Sequence, residues 1–287
     1  MNTQIVGLLA ETSIHPGAGQ SAGIIDLPVA REAATDYPVV PGSSLKGALL
    51  GLSREPRPDG KERMLKAERD RIFGQADKAG ALLVSDARLL LLPIRSLQSA
   101  YKWVTAPHLL ERFARDQQRA EQGQPRTSLI PGNGQPALDK YLGTGNGTLF
   151  LEERQFEWEG KLPSSLVARL EQLIPGASAH VNTRQRLADQ IVILHDDDFA
   201  WFARYGLAIQ ARNVLDPEKK TSANLWYEET IPADALFYAM LAERLENAIE
   251  PVKCLFKDRP YLQVGGNETV GMGWFAVTFP GTKEDPV

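Results

Sequence analysis

Hydrophobic positions recur along the chain with both strand and helix periods, which predicts a mixed fold of strands and helices. Residues 4–11 (QIVGLLAE) form an apolar run that predicts a buried first strand, and residues 81–93 predict another strand. Leucines recur at helical spacing over residues 43–52, where Ser43 or Ser44 is expected to cap a helix.

Two further helices are predicted in the first half of the chain. A charged amphipathic helix over residues 62–73 is expected to end at Gly74, because glycine commonly follows the last helical turn. Thr105 and Pro107 are expected to start a helix that runs to Gln118, with threonine as the N-cap and proline in the first turn.

The second half repeats the mixture of strands and helices. Residues 148–160 alternate in polarity and predict one strand, whereas residues 162–175 predict a short helix. Residues 190–206 predict a strand followed by a capped helix and a glycine stop.

A long hairpin is predicted over residues 204–232, with Asp216 and Pro217 at the turn of its polar tip. Residues 235–246 are compatible with either a strand or a helix, since they start with aromatic alternation and end with helical composition. Residues 261–279 predict two β-rich runs around a glycine-rich loop.

Two connecting segments are rich in glycine and proline. Residues 12–41 form a connection whose length is typical of a functional loop inside a compact domain. Residues 121–147 are polar and predict an exposed insertion.

Composition narrows the class of protein. The chain has 287 residues, of which 43% are hydrophobic and 24% charged, so it has enough apolar material for a folded core. A single cysteine, Cys254, excludes an internal disulfide and a zinc site made of several thiolates. No apolar run is long enough to span a membrane and the N-terminus lacks the basic start of a signal peptide, so we expect a cytosolic protein.

The net charge of -4 argues at first against a nucleic-acid partner. Residues 42–103, however, carry 12 basic and 7 acidic side chains, which makes that part of the chain positively charged. An RNA-binding surface confined to one face is therefore compatible with the composition.

Several familiar motifs do not fit their structural context. Ser21 lies in a Gly-x-Ser-x-Gly match, but the apolar strand and the helix that a nucleophile elbow requires are missing on both sides. His195 and residues 196–198 (DDD) are better explained by capping of the following helix than by metal binding. Nucleotide-binding P-loop and HExxH zinc motifs are also missing from the sequence.

Three glycine-containing segments remain as candidate sites. The helix start at residues 41–47 places backbone N–H groups, hydroxyls and an ammonium where they can face one phosphate, although a plain capped helix has the same pattern. The loop at residues 265–274 allows backbone to approach a ligand closely. The first loop carries three groups with acid, base or ligand chemistry, which are His15, Asp26 and Arg31.

In this order and spacing the segments resemble the backbone subunits of the type III-B CRISPR effector, the Cmr complex, within the RAMP superfamily. The resemblance covers nearly the whole chain, apart from residues 121–147 and 157–186. It rests on the collinear blocks HPGAGQSAGIIDLPVARE, YPVVPGSSLKGALL, IFGQ, LLVSDARLLLLPIRSLQSAYKWVTAPHLLERFARD, LWYEETIPADALFY and YLQVGGNETVGMGWF.

The resemblance implies an α+β fold, in one domain over residues 1–287: a ferredoxin-like, RRM-type palm with inserted helical segments and a long β-hairpin thumb near residues 213–224. Such subunits stack head to tail on CRISPR RNA beside other Cmr subunits and cut the paired single-stranded target RNA at regular intervals. The family's cleaving aspartate falls on Asp26, flanked by His15 and Glu228.

Cleavage of this kind suits a divalent cation such as Mg²⁺ held by Asp26 together with phosphate and water, and needs no organic cofactor. The expected partners are guide RNA, target RNA and protein subunits, and no membrane. The resemblance places guide-RNA contacts on Ser43, Ser44 and Lys46. We expect further RNA contacts at Arg31, Gly42, Gly265, Gly266, Asn267, Gly271 and Gly273.

Two alternatives stay open at this point. The chain could bind guide RNA in the filament without cutting, so that Asp26 is idle. It could also be a stand-alone RNA-processing nuclease of the same superfamily that uses His15 for metal-independent chemistry.

Overall fold

The computed structural model describes residues 1–21, 23–121, 129 and 134–281. The strands, β1 to β16 in chain order, are Thr3–Ala10, Val39–Val40, Gly74–Gln75, Lys78–Ala79, Leu82–Val84, Ala87–Arg95, Tyr101–Thr105, Lys140–Gly143, Leu149–Leu151, Arg154–Gly160, Ile191–Leu194, Ala208–Leu215, Ser222–Thr230, Leu236–Glu243, Tyr261–Gln263 and Trp274–Thr278. The α-helices, α1 to α7, are Gly42–Leu52, Lys66–Phe73, Pro107–Ala120, Ser164–Glu171, Val181–Gln190, Asp196–Tyr205 and Ile249–Lys253. Short 3-10 helices are Ser178–His180, Cys254–Phe256 and Glu268–Val270.

Four strands form the centre of the main sheet in the order β16-β1-β14-β6. All three of their pairings are antiparallel. Helix α1 lies between β1 and β6 in the chain, and α7 lies between β14 and β16. This is the β-α-β-β-α-β order of a ferredoxin-like domain, so the predicted α+β, ferredoxin-like palm is confirmed.

Strand β14 decides how residues 235–246 fold. It pairs with β1 on one side, with Val6 opposite Ala239, and with β6 on the other. Phe237 and Tyr238 are fully buried between layers of the core. The helical composition at the end of the segment is therefore overridden by burial in the centre of a sheet.

The sheet extends beyond the ferredoxin-like strands in the order β6-β7-β11-β8-β10-β9. Strand β8 comes from the segment predicted to be an exposed insertion, and that prediction is wrong for residues 140–143, because Tyr141 and Leu142 are buried between β11 and β10. The rest of that prediction falls in part on residues 122–128 and 130–133, outside the described residues.

Residues 148–160 form two strands instead of the single strand predicted. Strands β9 and β10 are an antiparallel pair, with Leu151 opposite Arg154. The turn between them contains Glu152, whose φ is 49°, a conformation that no regular strand contains.

The predicted helix caps differ from those observed. Helix α1 follows Pro41 and has no side-chain cap, so neither Ser43 nor Ser44 caps it; instead the Gly42 N–H donates to Asp86 Oδ1 at 2.7 Å. Thr105 belongs to β7 and does not cap α3, which starts at Pro107.

Two other helix ends agree more closely with the sequence pattern. Helix α2 starts at Lys66, four residues later than predicted, and ends at Gly74 with φ of 90°. Helix α6 has three aspartates in its first turn, and the His195 Nδ1 atom accepts the N–H of Asp197 at 3.1 Å. In the described part of the chain no three His, Cys, Asp or Glu side chains are grouped as metal ligands.

Strands β12 and β13 form the predicted hairpin as a separate two-stranded sheet. Their pairing runs from Ala208 opposite Thr230 to Leu215 opposite Ser222. Asp216 Oδ1 stabilises the turn by accepting the N–H groups of residues 218 and 219. The outer half of this hairpin, residues 213–224, is the segment predicted to be the thumb, and that role stays a prediction.

The α-helices of the described residues are 5 to 14 residues long. None of them is long and apolar enough to cross a membrane.

Candidate nucleic-acid interface

The first loop, between β1 and β2, folds back on itself beside the hairpin β12–β13. Gly17 bridges Val29 within the loop, and the Ala18 N–H donates to the Pro28 carbonyl at 3.2 Å. These contacts form a narrow finger that carries Asp26 near its exposed tip.

Strand β13 holds the Asp26 side of this finger. The Tyr227 N–H donates to Asp26 Oδ2 at 2.8 Å, and the Leu27 N–H donates to the Tyr227 carbonyl at 3.1 Å. One carboxylate oxygen of Asp26 is thus fixed by a backbone donor. The other oxygen has no partner among the described residues, and the side chain is exposed to solvent.

Glu229 is a buried residue that binds the segment of the finger after Asp26, at Val29 and Arg31. Its side chain is only 3% exposed. Oε2 accepts the Val29 N–H at 3.0 Å, and Oε1 accepts Arg31 Nη2 at 2.6 Å. The Glu229 carbonyl lies 2.8 Å from His15 Nδ1. Glu229 therefore joins the finger, the guanidinium and the imidazole to one strand.

Arg31 was assigned to RNA binding, but most of its donors are used inside the protein. Besides Glu229, it donates through Nη1 to the carbonyls of Asp36 and Ala203, both at 2.8 Å. Its side chain is 16% exposed. These contacts make Arg31 an anchor of the first loop, and its contact with RNA stays a prediction.

His15 lies at the base of the finger with a defined tautomer. Because a carbonyl can only accept, the Nδ1 atom facing Glu229 carries the ring proton. The opposite edge of the imidazole lies between two glycines: a Cβ atom at Gly17 would be 3.1 Å from Nε2, and one at Gly266 would be 3.1 Å from Cδ2. The Nε2 atom thus faces Gly17 within the first loop, and the neighbouring Cδ2 atom faces Gly266 of the glycine loop.

Glu228 follows Tyr227 on β13 and is only 2% exposed. Its Oε1 atom accepts the side-chain amide of Asn267 and lies 3.7 Å from His15 Nδ1. Its Oε2 atom lies 3.6 Å from Arg212 Nε on the paired strand. The predicted trio of Asp26, His15 and Glu228 is therefore brought together around β13, but Glu228 lies inside the protein.

The glycines of this loop allow its backbone to pack closely against other backbone segments of the protein. Gly265 has φ of 99°, and a Cβ there would be 2.6 Å from the His15 carbonyl oxygen. The Gly266 N–H donates to that same carbonyl at 2.8 Å. A Cβ on Gly273 would be 2.5 Å from the Val264 carbonyl, whereas Gly271 has open space around it. The close backbone approach predicted for a ligand is, at Gly265 and Gly266, an approach to the first loop.

A groove of about 660 Å³ lies between the first loop, the glycine loop and helix α1. The helix presents to it the small residues Ser44, Gly47, Ala48 and Gly51. A Cβ at Gly47 or at Gly51 would meet no atom within 4 Å, so this wall is open. The groove thus joins the three segments singled out in the sequence.

Arg259 also lines this groove and was not anticipated from the sequence. Its guanidinium pairs with Glu55 at 3.0 Å and lies 5.0 Å from the centroid of the Trp274 ring. Neither contact is visible in the sequence, because the three residues come from distant segments.

The start of helix α1 differs partly from the prediction. Ser43 and Ser44 are exposed with free hydroxyls on the surface, and Lys46 is half-buried without an ion-pair partner in the described part of the chain. The Gly42 N–H, predicted to face a phosphate, is already paired with Asp86, so Gly42 is a structural residue here. A phosphate at this helix end would meet the serines and Lys46.

The carboxylate ligands available around Asp26 limit how a divalent cation could be held there. The described residues supply one exposed carboxylate there and no cluster of three ligands. Mg²⁺ typically keeps several waters and binds one or two carboxylates together with substrate phosphates. The residues therefore fit a cation shared with RNA and do not fit a cage made of protein alone.

Comparisons with known proteins agree with this architecture. A family model described as the RAMP superfamily matches residues 8–276. The CRISPR system Cmr endoribonuclease Cmr4 of Pyrococcus furiosus is 34% identical over 294 residues, which cover 97% of this chain and 96% of that protein.

Two solved structures share the fold over almost the full length. A crystal structure of oligomeric Cmr4 from Pyrococcus furiosus is 28% identical, has a TM-score of 0.71 and is covered over 99% of both chains. A chain in the cryo-EM structure of the Type III-B Cmr-beta bound to cognate target RNA is 22% identical, with a TM-score of 0.76 and 97% coverage of both chains. At that identity the second likeness shows the fold alone.

Proposed function

Because the chain belongs to the RAMP superfamily and, within it, to the Cmr4 family, we propose that it is a backbone subunit of a type III-B CRISPR effector in antiviral defence. In this role it binds CRISPR guide RNA and cuts the target RNA paired with that guide. The observation that carries the proposal is the exposed Asp26 carboxylate, which one backbone N–H orients and which precedes Leu27, a residue that lines the groove.

The reaction we propose is attack by a ribose 2′-oxygen on the adjacent phosphorus. The 2′-oxygen loses its proton, the new P–O2′ bond forms, and the P–O5′ bond breaks, which leaves a cyclic phosphate and a 5′-hydroxyl that takes up one proton. The free oxygen of Asp26 has two alternative roles, since it can accept the 2′-proton or hold a cation. A single exposed carboxylate is a weak base, so the reaction depends on RNA geometry that aligns the 2′-oxygen with the leaving oxygen.

Metal dependence is part of the proposal. Asp26 would hold a divalent cation jointly with RNA phosphate and water, in line with its single exposed carboxylate. When bound, such a cation neutralises charge that develops on the phosphate oxygens. In either role, the hydrogen bond from the Tyr227 N–H on β13 keeps the Asp26 carboxylate in place.

His15 and Glu228 have supporting roles in this proposal. The Nδ1 proton of His15 is committed to the Glu229 carbonyl, so only Nε2 is free to contact a ribose or phosphate in the groove. Glu228 is 2% exposed and meets protein groups on both oxygens. We therefore assign Asp26 alone to the cleavage step.

Guide RNA is proposed to run along the groove and over the start of helix α1. Exposed Ser43 and Ser44 offer hydroxyls and unpaired backbone N–H groups, and Lys46 offers a cation without a protein partner among the described residues. The small-residue wall of α1 leaves room for a sugar–phosphate backbone. Arg259 adds a second cation at the opposite wall.

The hairpin β12–β13 is proposed as the thumb. It forms its own two-stranded sheet, and Ile209, Val214, Leu215, Leu225 and Tyr227 on it are each about half exposed. Apolar and aromatic side chains of this kind can pack against bases that are displaced from a duplex. The base of the hairpin is the same strand that holds Asp26, so a wedge in the duplex would lie next to the cleaving carboxylate.

We propose that several copies assemble head to tail along the guide, beside other Cmr subunits. The relative from Pyrococcus furiosus was crystallised as an oligomer, according to its description. The test is to purify the protein with and without a co-expressed guide RNA, measure its size and extract bound RNA. We expect guide-length RNA in a species much larger than one subunit. A monomer that carries no RNA under both conditions would contradict the proposal.

The assembled complex also tests metal dependence against the stand-alone nuclease alternative. We expect EDTA to stop cleavage of a complementary target and added Mg²⁺ to restore it. Cleavage of repeat RNA by the isolated subunit in EDTA would instead support the processing nuclease.

A further inference from the structure

Asn267 has an unusual position for a residue assigned to RNA binding. Its backbone is left-handed, with φ of 62°, at the start of a 3-10 turn in the glycine loop. Asn267 is not among the residues that line the groove, and its side-chain amide donates to Glu228 Oε1 on strand β13. It also contacts the Met272 sulfur at 3.7 Å. The amide is thus directed into the protein.

Glu228 depends on this amide. Its carboxylate is 2% exposed, and a buried carboxylate is costly unless donors surround it. In the described part of the chain, Asn267 supplies the hydrogen bond to it, while Arg212 Nε is 3.6 Å away and makes no hydrogen bond of its own. The Asn267 amide is thus the hydrogen-bond donor that holds the Glu228 side chain, while His15 Nδ1 and Arg212 Nε lie farther away, at 3.7 and 3.6 Å.

Strand β13 connects the Glu228 side chain to the Asp26 carboxylate. Residues 227–229 are consecutive, and each is held by a different partner. Tyr227 donates its N–H to Asp26 on the exposed side, and Glu228 is held by Asn267 on the buried side. Glu229 is held by Arg31. Because these residues share one stretch of backbone, we expect a shift of Glu228 to move the N–H that orients Asp26.

We propose that Asn267 is a positioning residue for target cleavage, which acts through the Glu228 carboxylate and the Tyr227 N–H to fix the direction of the Asp26 carboxylate. The inference rests on the proposed function of Asp26. In this proposal the glycine loop helps to position the Asp26 carboxylate, and Asn267 and Glu228 do not contact RNA directly.

The amide of Asn267 and the carboxylate of Glu228 can be exchanged between the two positions without a change in side-chain size or total charge. Asn267→Asp and Glu228→Gln each keep the size of the side chain, but the first puts two carboxylates together and the second puts two amides together. The double variant restores one amide against one carboxylate with the donor and acceptor reversed. Asn267→Gly serves as a backbone control, because glycine adopts positive φ easily and lacks the amide.

The measurement is the single-turnover rate of target cleavage by guide-loaded complexes, together with guide content and target affinity. We expect Asn267→Asp, Glu228→Gln and Asn267→Gly to slow cleavage by about 10-fold or more, the scale expected for a misplaced catalytic group, with target affinity unchanged. We expect the double variant Asn267→Asp/Glu228→Gln to recover to within about threefold of the parent rate, as a coupled pair should.

Two results would overturn the inference. If the double variant is as slow as the slower single variant, Glu228 acts by its own carboxylate and not as a partner of Asn267. If Asn267→Gly cuts at the parent rate, the amide has no role in positioning. Asp26→Asn in the same assay separates the two proposals: if it still cuts, the proposed function fails, whatever the other variants do.

Discussion

The backbone N–H of Tyr227 donates a hydrogen bond of 2.8 Å to the Oδ2 atom of Asp26. An aspartate in a glycine-rich loop would otherwise sample many directions. A donor on a paired strand removes much of that freedom, so the free oxygen is held in one orientation before RNA arrives. Strand β13 is thus both the second strand of the hairpin and the support of the candidate site.

Lys46 tests the route of the guide along helix α1. Because it has no ion-pair partner in the described residues, we expect Lys46→Ala to weaken guide binding without loss of stability. The dependence of log affinity on log salt should become shallower by about 0.7, the value for one phosphate contact on a single strand. Lys61→Ala is the matched control, since Lys61 is 80% exposed and pairs with Asp59. Equal salt slopes for the two variants would contradict the assigned route.

Gly47 tests whether the groove must stay open. Its Cβ position on α1 is empty, so Gly47→Ala should raise the free energy of unfolding by about 0.5–1 kcal/mol, because alanine favours a helix interior. Gly47→Trp should fold but lose guide binding, because the indole fills the groove. Ala67→Trp on helix α2 controls for a large exposed side chain. Binding of guide RNA by Gly47→Trp at the parent affinity would show that RNA does not use the groove.

The glycine loop makes a prediction about stability. Gly265 and Gly271 both have positive φ, 99° and 82°, but only at Gly265 would a Cβ collide with backbone, at 2.6 Å from the His15 carbonyl oxygen. We expect Gly271→Ala to cost about 1 kcal/mol for the backbone conformation alone. Gly265→Ala should cost about 3 kcal/mol, measured by urea unfolding. Equal losses would mean that the loop does not pack on the first loop as described.

Asp234 predicts how stability depends on pH. Burial raises the pKa of this carboxyl above its ordinary value of 3.8, with opposing contributions from Tyr101 and Arg186. Because the folded state then holds the proton more tightly than the unfolded chain, stability is lost as pH rises from about 3.8 through the raised folded pKa. Asp234→Asn should remove that loss and raise the free energy of unfolding at pH 7. Asparagine also suits the φ of 65° at this position.

The check is urea unfolding of both proteins between pH 4 and about pH 7, the range over which an ordinary aspartate and a raised one differ. The difference between variant and parent should grow with pH and then level off. A difference that does not change with pH would show that Asp234 titrates alike in the folded and unfolded states.

Much of the fold follows from patterns that are local in sequence. Strand β1 and the hairpin β12–β13 have long runs with clear period and turn residues such as Asp216. Strand β8 was missed because Tyr141 and Leu142 are too short an apolar pair to predict a strand. Its burial comes from β11 and β10, whose positions depend on the whole sheet.

The site was predictable in part, for a similar reason. The motif resemblance predicts Asp26, His15 and Glu228 as site residues, and each of them contacts or belongs to the segment of β13 around Glu228; their roles stay predictions. It did not identify Glu229, although this residue holds Val29, Arg31 and His15. A sequence cannot show that two adjacent glutamates at a strand end are both buried on opposite faces. Arg259 was missed because its partners lie far away along the chain.

The most direct test of the central claim is the cleavage of a complementary target by guide-loaded complexes that carry Asp26→Asn. Asp77→Asn is the control, since Asp77 is an exposed acid in the turn between β3 and β4. We expect parent and Asp77→Asn complexes to cut the target at regular intervals, and Asp26→Asn complexes to bind guide and target equally well but leave the target intact. Cleavage at the parent rate by the Asp26→Asn complex would contradict the account.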